Sequence, residues 1–126
     1  MKLRFFRLAR KIALTSGDRF KVGAVLVKGN AIMGMGCNDM GKSHPIMAEQ
    51  NSLANLHAEW AACRGLDKSE IDRRFSLYVY RARRNGSQGM AQPCIVCFNI
   101  LKNLGVMKVY YSLDNKGYGD LKLYDK

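Results

Sequence analysis

Two short segments of this chain constrain its fold most, because they must meet in space if they share one metal ion. The first is "HAE" at His57–Glu59 and the second is "PCIVC" at Pro93–Cys97. Cys94 and Cys97 are three positions apart, so on a helix they face the same way, about one turn apart. Both segments open stretches with helical punctuation. A fold that unites them brings two helix starts to one place.

The donor atoms of these segments predict a catalytic zinc site. Zinc prefers nitrogen and sulfur ligands, and a catalytic zinc keeps three protein ligands and an open position for water. His57, Cys94 and Cys97 meet that count, and the dipole of a helix start favours thiolates. Glu59 is two positions from His57 and cannot lie on the same helical stripe. We therefore expect Glu59 to handle protons rather than to bind the metal.

The rest of the chain shows alternating helix and strand patterns. Apolar residues at helical spacing in "KLRFFRLARKIALTSGD" predict an amphipathic first helix that ends at Gly17. The apolar "RFKVGAVLVK" is typical of a strand covered on both faces, and "GN" turns the chain into the antiparallel strand "AIMGMGCN". Further strands are predicted at "FSLYVYRAR" and "VMKVYYSL", helices at "LHAEWAACRGL" and "PCIVCFNILKNLG", and loops at 39–56 and "RRNGSQGMAQ".

The end of the chain limits the topology of the sheet. Only "DNKGYGD" separates "VYYSL" from "LKLYD", whereas a parallel crossover needs a dozen or more residues. If the last segment pairs at all, it forms an antiparallel hairpin with the strand before it. The order of elements predicts an α/β sandwich around one mostly central sheet.

Size and composition indicate one soluble domain spanning residues 1–126. Charged or polar residues interrupt every apolar stretch, so we expect no membrane association. The basic N-terminus resembles an organelle transit peptide, but it runs directly into the first strand, so we expect a folded helix. Close cysteine pairs without a secretion signal favour a reducing, cytoplasmic location.

The formal net charge is +11. A surface this basic attracts polyanions or phosphorylated small molecules through its summed field. Much of the excess lies in two groups, one in the first helix and one around residues 73–84. Solvated faces that keep a small protein soluble are an equally good explanation.

The combination H-x-E…P-C-x-x-C is the signature of zinc-dependent nucleobase deaminases, and the chain resembles the cytidine and deoxycytidylate deaminase superfamily. The resemblance runs from "KVGAVLVKGNAIMGMGCN" through "HAE" and "SLYVY" to "PCIVC" and "VMKVYYS". It implies a three-layer α/β/α fold with a mixed five-stranded sheet, helices on both faces and, in this chain, an antiparallel C-terminal hairpin. It also implies a Zn²⁺-dependent hydrolase that converts cytosine to uracil.

The resemblance assigns roles to particular residues. His57, Cys94 and Cys97 would hold zinc, and Glu59 would pass a proton from water to the base and then to the leaving amine. The backbone around Ala58 would contact the base. Asn38 would hydrogen-bond the sugar, although it also reads as a turn residue. Arg83, Arg84 and Lys42 are candidate contacts for a substrate phosphate.

Three functions remain open from the sequence. The first is deamination of a free cytosine nucleotide such as dCMP, and the second is deamination of cytosine, or adenine, in single-stranded DNA or RNA. The hairpin is typical of free-cytidine enzymes and certain toxin deaminases, whereas "GxN" and the PCxxC spacing favour the deoxycytidylate side. The third is a non-catalytic zinc module that binds nucleic acid. A homo-oligomer is possible, since relatives commonly assemble.

Further residues have predicted structural or binding roles. Cys63 is expected to pack as a small apolar residue, and Trp60 to pack in the core rather than stack on a base. Tyr110 and Tyr111 are predicted to lie in a strand and Tyr118 in a loop, so that of these three only Tyr118 could reach a ligand.

Overall fold

A computed structural model describes residues 2–17, 21–38, 58–63, 65–66, 71, 74–93 and 95–123. Within them the elements are α1 (Leu3–Leu14), β1 (Lys21–Lys28), β2 (Ala31–Cys37), α2 (Ala58–Cys63), β3 (Phe75–Ala82), β4 (Gln88–Gly89), α3 (Ile95–Leu104), β5 (Lys108–Ser112) and β6 (Tyr118–Lys122).

The strands form one mixed sheet in the order β2-β1-β3-β5-β6, with β4 paired to the end of β3. β3 and β5 are parallel, and the other pairs are antiparallel. The predicted mixed sheet and both hairpins are therefore confirmed. The sheet has six strands rather than five, because β4 lies in the segment interpreted as a loop. A two-residue strand carries no periodic pattern that sequence reasoning can detect.

Helices cover both faces of the sheet, as predicted. In β1, Ala24 and Leu26 face one way and pack in a core with α2 and α3. Val25 and Val27 face the other way and pack under α1. This alternation follows from the two-residue period of a strand. Because β1 is buried on both faces along most of its length, it reads as a nearly continuous apolar run.

The first helix packs close to β1. Its buried side, including Phe6 and Ala9, faces the sheet, and a side chain at Gly23 would overlap the carbonyl oxygen of Ala9. The helix ends at Leu14, before the predicted Gly17, and the Thr15 hydroxyl donates to the carbonyl of Ile12 over 2.6 Å. No helix in the described part of the chain is long and apolar enough to cross a membrane.

The helix α3 ends as the sequence predicts. Gly105 has a φ of +102°, which a residue without a Cβ adopts at little cost. Its N–H donates to the carbonyl of Lys102, and the N–H of Val106 donates to that of Leu101. This is the Schellman arrangement of a helix C-terminus. It turns the chain directly into β5, which pairs parallel to β3.

Candidate active site

The starts of α2 and α3 lie at one edge of the sheet. This edge holds the last residues of the parallel strands β3 and β5, and the antiparallel pairing adds the start of β1 and the end of β2. α3 follows the end of β3, and α2 leads back to the opposite end of that strand. Ends of parallel strands, with helix starts beside them, are the usual place for ligand sites in α/β folds.

Glycines in β2 allow α2 to approach the sheet. A Cβ at Gly34 would overlap the carbonyl oxygen of Ala62, and one at Gly36 would lie 2.5 Å from the Cβ of Ala61. No side chain fits at either position without moving the helix. The two glycines therefore fix how deep α2, with Glu59 in its first turn, sits on the sheet.

Glu59 is buried, with 7% of its surface exposed. A buried carboxylate is costly unless the protein compensates for it, and such groups cluster at functional sites. Cys63 lies one turn further along α2 and is buried in the core. Its burial, and secondarily the charge of Glu59, raise the pKa of the Cys63 thiol to about 12. Cys63 therefore stays a neutral thiol, which confirms its predicted role as an apolar packing residue.

Trp60 joins the two helices that carry the predicted site. It packs against the cluster that Cys97 and Ile100 form on α3, and also against the core under α2. The expected core role of Trp60 is confirmed. Cys97 lies in the first turn of α3 and is 1% exposed. The fold thus brings together the helices that carry Glu59 and Cys97, as the sequence predicts.

The described member of the predicted ligand set suits a zinc ion. Cys97 offers a buried sulfur in the first turn of one helix, and the neighbouring helix carries the buried carboxylate of Glu59, two positions along the chain from the predicted ligand His57. His57 and Cys94 lie outside the described residues. Within the described residues, no group of three His, Cys, Asp or Glu side chains gathers around one point. Because two of the three predicted ligands lie outside those residues, the ligand set stays a prediction.

Hydrogen bonds to Val22 and Ser16 hold Asn38 at the same edge. Its side-chain oxygen accepts from the Val22 N–H (2.9 Å), its own N–H donates to the Val22 carbonyl (3.1 Å), and the Ser16 hydroxyl donates to its carbonyl oxygen (3.1 Å). The side chain thereby continues the ladder between β1 and β2. Its orientation is fixed by the sheet, and its role as a sugar contact stays a prediction.

The two arginines predicted to bind phosphate differ in their surroundings. The Arg83 guanidinium donates to the Asp114 carboxylate over 2.6 Å and to the Asn115 side-chain oxygen over 3.4 Å. Arg84 is exposed in the turn that follows. A phosphate at Arg83 would therefore compete with Asp114, whereas one at Arg84 has no such described competitor. Lys42 lies outside the described residues.

Sequence reasoning missed the residues that hold the segment before α3. The buried Ser112 hydroxyl donates to the Gly89 carbonyl (2.7 Å) and accepts from the Arg81 N–H (3.1 Å). The Asp114 carboxylate also accepts from the Met90 N–H (3.0 Å). These bonds tie β4 to the turn between β5 and β6, and so fix the approach of the chain to α3. The one available signal was the turn composition "LDNKG" after a strand.

The prediction that Tyr118 is a loop residue is wrong. Tyr118 lies in β6 and stacks on Phe6 of α1 with a centroid separation of 3.9 Å, on the sheet face away from α2 and α3. Tyr111 instead packs toward the core under α2 and α3. The register of the last hairpin, with Ser112 opposite Tyr118, decides which face each tyrosine occupies.

The protein is thus an α/β protein with a mixed sheet between helices and a buried glutamate and a buried cysteine on two adjoining helix starts, residue types that zinc-dependent nucleobase deaminases use. Residues 1–113 match the family model described as the cytidine and deoxycytidylate deaminase zinc-binding region. The chain belongs to this family.

Solved structures with the same fold include three kinds of deaminase. A cytidine deaminase from Burkholderia pseudomallei has a TM-score of 0.71 at 18% identity, covering 98% of this chain and 93% of its own. A dCMP deaminase from the cyanophage S-TIM5 has a TM-score of 0.63 at 26% identity, covering 90% and 86%. A tRNA:A34 deaminase has a TM-score of 0.59 at 23% identity, covering 88% and 75%. No curated protein sequence matches the chain significantly.

Proposed function

We propose that this protein is a zinc-dependent hydrolase that deaminates cytosine to uracil in a free cytidine or deoxycytidine nucleotide such as dCMP. The observation that carries the proposal is the buried Glu59 in the first turn of α2, on the helix whose Trp60 packs against the cluster of Cys97 and Ile100 on α3. Family membership supports the reaction class. The similarity to the cyanophage dCMP deaminase supports a phosphorylated monomer.

His57, Cys94 and Cys97 are the residues that would hold the zinc ion. Bound there, zinc supplies a water molecule that loses a proton near neutral pH. The chain's own contribution is to fix the two helices that present these ligands. Trp60 does so by packing between them, and Gly34 and Gly36 do so by setting the depth of α2.

Glu59 would move the protons of the reaction. Its carboxylate accepts one proton from the attacking water and delivers it to N3 of the cytosine ring. It then carries the second proton to the leaving amino group. The water oxygen forms a bond to C4, the bond from C4 to the exocyclic nitrogen breaks, and uracil and ammonia result. Burial keeps bulk water from the carboxylate, which strengthens its interaction with the developing charges.

Residues around Glu59 would bind the substrate. The backbone at Ala58 would contact the base, and Asn38, fixed by Val22 and Ser16, would hydrogen-bond the sugar. Arg84 is the leading candidate for the phosphate because a guanidinium binds phosphate in a bidentate way. Lys42 and Arg83 remain further candidates, the latter at the cost of its contact with Asp114.

The test is ammonia release by the zinc-loaded protein, measured in parallel on cytidine, deoxycytidine, CMP, dCMP and a cytosine-containing single-stranded oligonucleotide. We expect turnover of the monomers, with dCMP or CMP preferred, and a rate about 10²- to 10⁴-fold lower for Glu59→Gln. An Arg84→Gln variant should raise KM for the nucleotides and leave KM for the nucleosides unchanged. Turnover of the oligonucleotide alone would replace this proposal with deamination of single-stranded nucleic acid.

A further inference from the structure

The outer side of α1 is a line of cations. Arg4, Arg7, Arg10 and Lys11 are all exposed, and the helix contains no acidic residue. We call these four residues the α1 cationic stripe. The stripe lies on the sheet face opposite to α2 and α3, so the binding of a nucleotide phosphate near Glu59 does not explain it.

The stripe is not neutralised by carboxylates in the described part of the chain. There, Asp114 pairs with Arg83 and Asp120 pairs with Lys108, both on other elements. Arg4 lies over the ring of Phe5 at 4.8 Å, which leaves its charge in place. Several like charges on one exposed helix side repel one another. An external polyanion would relieve that repulsion.

The spacing of the stripe suits a repeating anion. Arg4, Arg7 and Lys11 are three and four positions apart, so they lie on one side of the helix. At 1.5 Å per residue they span roughly 10 Å of its axis. A nucleic-acid strand carries one phosphate per nucleotide, so a row of this length can contact successive phosphates of one strand. Arginine, which supplies three of the four cations, binds phosphate in a bidentate way.

The packing of α1 argues against a membrane as the partner. An amphipathic helix binds a bilayer by placing its apolar side among the lipid chains. In this protein that side, including Phe5, Phe6 and Ala9, is buried against the sheet. Insertion of the helix would require unfolding of this face, so a partner must bind through charge alone.

The stripe leads toward the candidate active site. The Ser16 hydroxyl, two residues beyond the end of α1, donates to the carbonyl of Asn38. The Lys21 ammonium group in turn donates to the carbonyl of Ser16. A single strand lying along α1 would therefore approach the edge of the sheet where Asn38 and the start of α2 lie.

We propose that the α1 cationic stripe docks the phosphodiester backbone of single-stranded nucleic acid. Arg4, Arg7 and Lys11 form a single row, with Arg10 beside it, and a single row contacts one backbone, which favours a single strand over a duplex. The proposal does not depend on which cytosine substrate is deaminated, because the docking surface and Glu59 lie on opposite faces of the sheet.

Binding of a fluorescent dT30 oligonucleotide tests the proposal, since it contains no cytosine and measures backbone docking alone. The test variant carries Arg7→Gln, Arg10→Gln and Lys11→Gln, which remove three charges and keep good helix formers. The control carries Lys102→Gln, Lys116→Gln and Lys122→Gln, which remove the same charge from exposed positions on other elements. Fluorescence anisotropy gives the Kd between 50 and 200 mM salt, and a thermal melt verifies the fold of both variants.

We expect the stripe variant to bind dT30 about tenfold or more weakly, with the slope of log K against log salt flatter by roughly 2 units. The control should stay close to wild type. Equal weakening by both triple variants would overturn the proposal, because binding would then reflect net charge alone. Binding to phosphatidylserine vesicles without binding to dT30 would overturn it in favour of a membrane.

Two further readouts separate this proposal from the proposed function. Glu59→Gln should bind dT30 like wild type, and the stripe variant should release ammonia from the monomer substrate at the wild-type rate. If no cytosine substrate is turned over but the stripe variant still loses dT30 binding, the proposed function fails and the docking surface stands.

Discussion

The face of the sheet under α1 buries aromatic rings, whereas the face under α2 and α3 buries a carboxyl group and thiols. Under α1, Phe6 stacks on Tyr118 at 3.9 Å and meets Tyr78 edge-on at 5.0 Å. Under α2 and α3 lie Glu59 and Cys97, both at most 7% exposed. Ring packing stabilises a fold, while a buried carboxylate costs stability. Both faces have apolar cores, but within the described residues only the face under α2 and α3 also buries a carboxyl group, which we assign to the reaction.

Each central strand contributes residues to both faces of the sheet. The two faces differ because successive residues of a strand point to opposite sides. In β1, Val25 and Val27 face the rings, and Ala24 faces the helices that carry the predicted site. Substitutions on the two faces should then separate loss of stability from loss of activity.

The largest expected effect is that of Glu59→Gln. We expect the rate of ammonia release from the best substrate of the panel to fall about 10²- to 10⁴-fold, since general acid–base catalysis contributes that much. Zinc content, measured by mass spectrometry, should remain close to that of wild type because Glu59 is not a predicted ligand. Simultaneous loss of zinc would show that Glu59 acts on the metal site and not on protons.

On the aromatic face, Phe6→Ala should lower the free energy of unfolding by about 3–5 kcal/mol, measured by urea denaturation. Phe6 is 1% exposed and loses its contacts with Tyr78 and Tyr118. The folded fraction should retain wild-type KM. Leu14→Ala, at a position 45% exposed, is the control and should change stability by less than about 0.5 kcal/mol. If Phe6→Ala does not fold, Phe6→Leu is the milder substitution to use. A raised KM in either variant would contradict the expectation that substitutions under α1 affect stability and not activity.

The sequence predicted the parts of this molecule that depend on local patterns. The turn at Gly29–Asn30, the alternating cores and the helix end at Gly105 follow from periodicity and turn chemistry. The placement of Glu59 and Cys97 on adjoining helices was predicted because metal chemistry restricts residue types and spacing, whatever the fold around them.

The parts that sequence reasoning missed depend on distant contacts. The two-residue strand β4 exists because Arg81 and Ala82 pair with Gly89 and Gln88, and Ser112 joins it from another strand. Nothing local in "SQGMAQ" indicates this pairing. Tyr118 was interpreted as a loop residue because "DNKGYGD" has turn composition, whereas its pairing opposite Ser112 makes it the first residue of β6. Asp114 was not predicted as a partner of Arg83, because that contact joins residues far apart in the sequence.

Alanine substitutions at Gly23 and Gly34 introduce similar steric overlaps on the two faces of the sheet, so their effects on stability and activity can be compared. A Cβ at Gly23 would overlap Ala9 of α1, and one at Gly34 would overlap Ala62 of α2. Gly23→Ala and Gly34→Ala should each lower the free energy of unfolding by about 1–3 kcal/mol, because the helix must move outward. Gly17→Ala, with open space around it, is the control.

Activity distinguishes the two glycine variants. Gly34→Ala displaces the helix that carries Glu59, so we expect kcat/KM to fall at least about tenfold, in line with the cost of small misplacements at catalytic groups. Gly23→Ala displaces α1 and should leave kcat/KM of the folded protein unchanged. Equal losses of activity would show that the two helices are coupled through the sheet.

The smallest effect is expected at alkaline pH, where each face contains a group whose pKa is raised mainly by burial. On the side of the predicted site, burial raises the pKa of the Cys63 thiol from 9.0 to about 12. Under α1, burial raises the pKa of the Tyr78 hydroxyl above 10.0. A raised pKa means that the unfolded chain loses the proton first. Each group therefore stabilises the fold fully below its unfolded pKa, and that contribution declines as the pH rises toward the folded value. Between pH 9 and 10, Cys63 alone of this pair should destabilise the fold, by about 1 kcal/mol over the unit.

Urea denaturation of wild type, Cys63→Ala and Tyr78→Phe at half-unit steps from pH 7 to 11 separates the two groups. The difference in free energy of unfolding between wild type and Cys63→Ala should be flat to about pH 9 and then decline. The difference for Tyr78→Phe should stay flat until about pH 10. A Cys63 difference that is flat to pH 11 would mean that this thiol is not buried beside Glu59, and that α2 packs less deeply on the sheet than Gly34 and Gly36 allow.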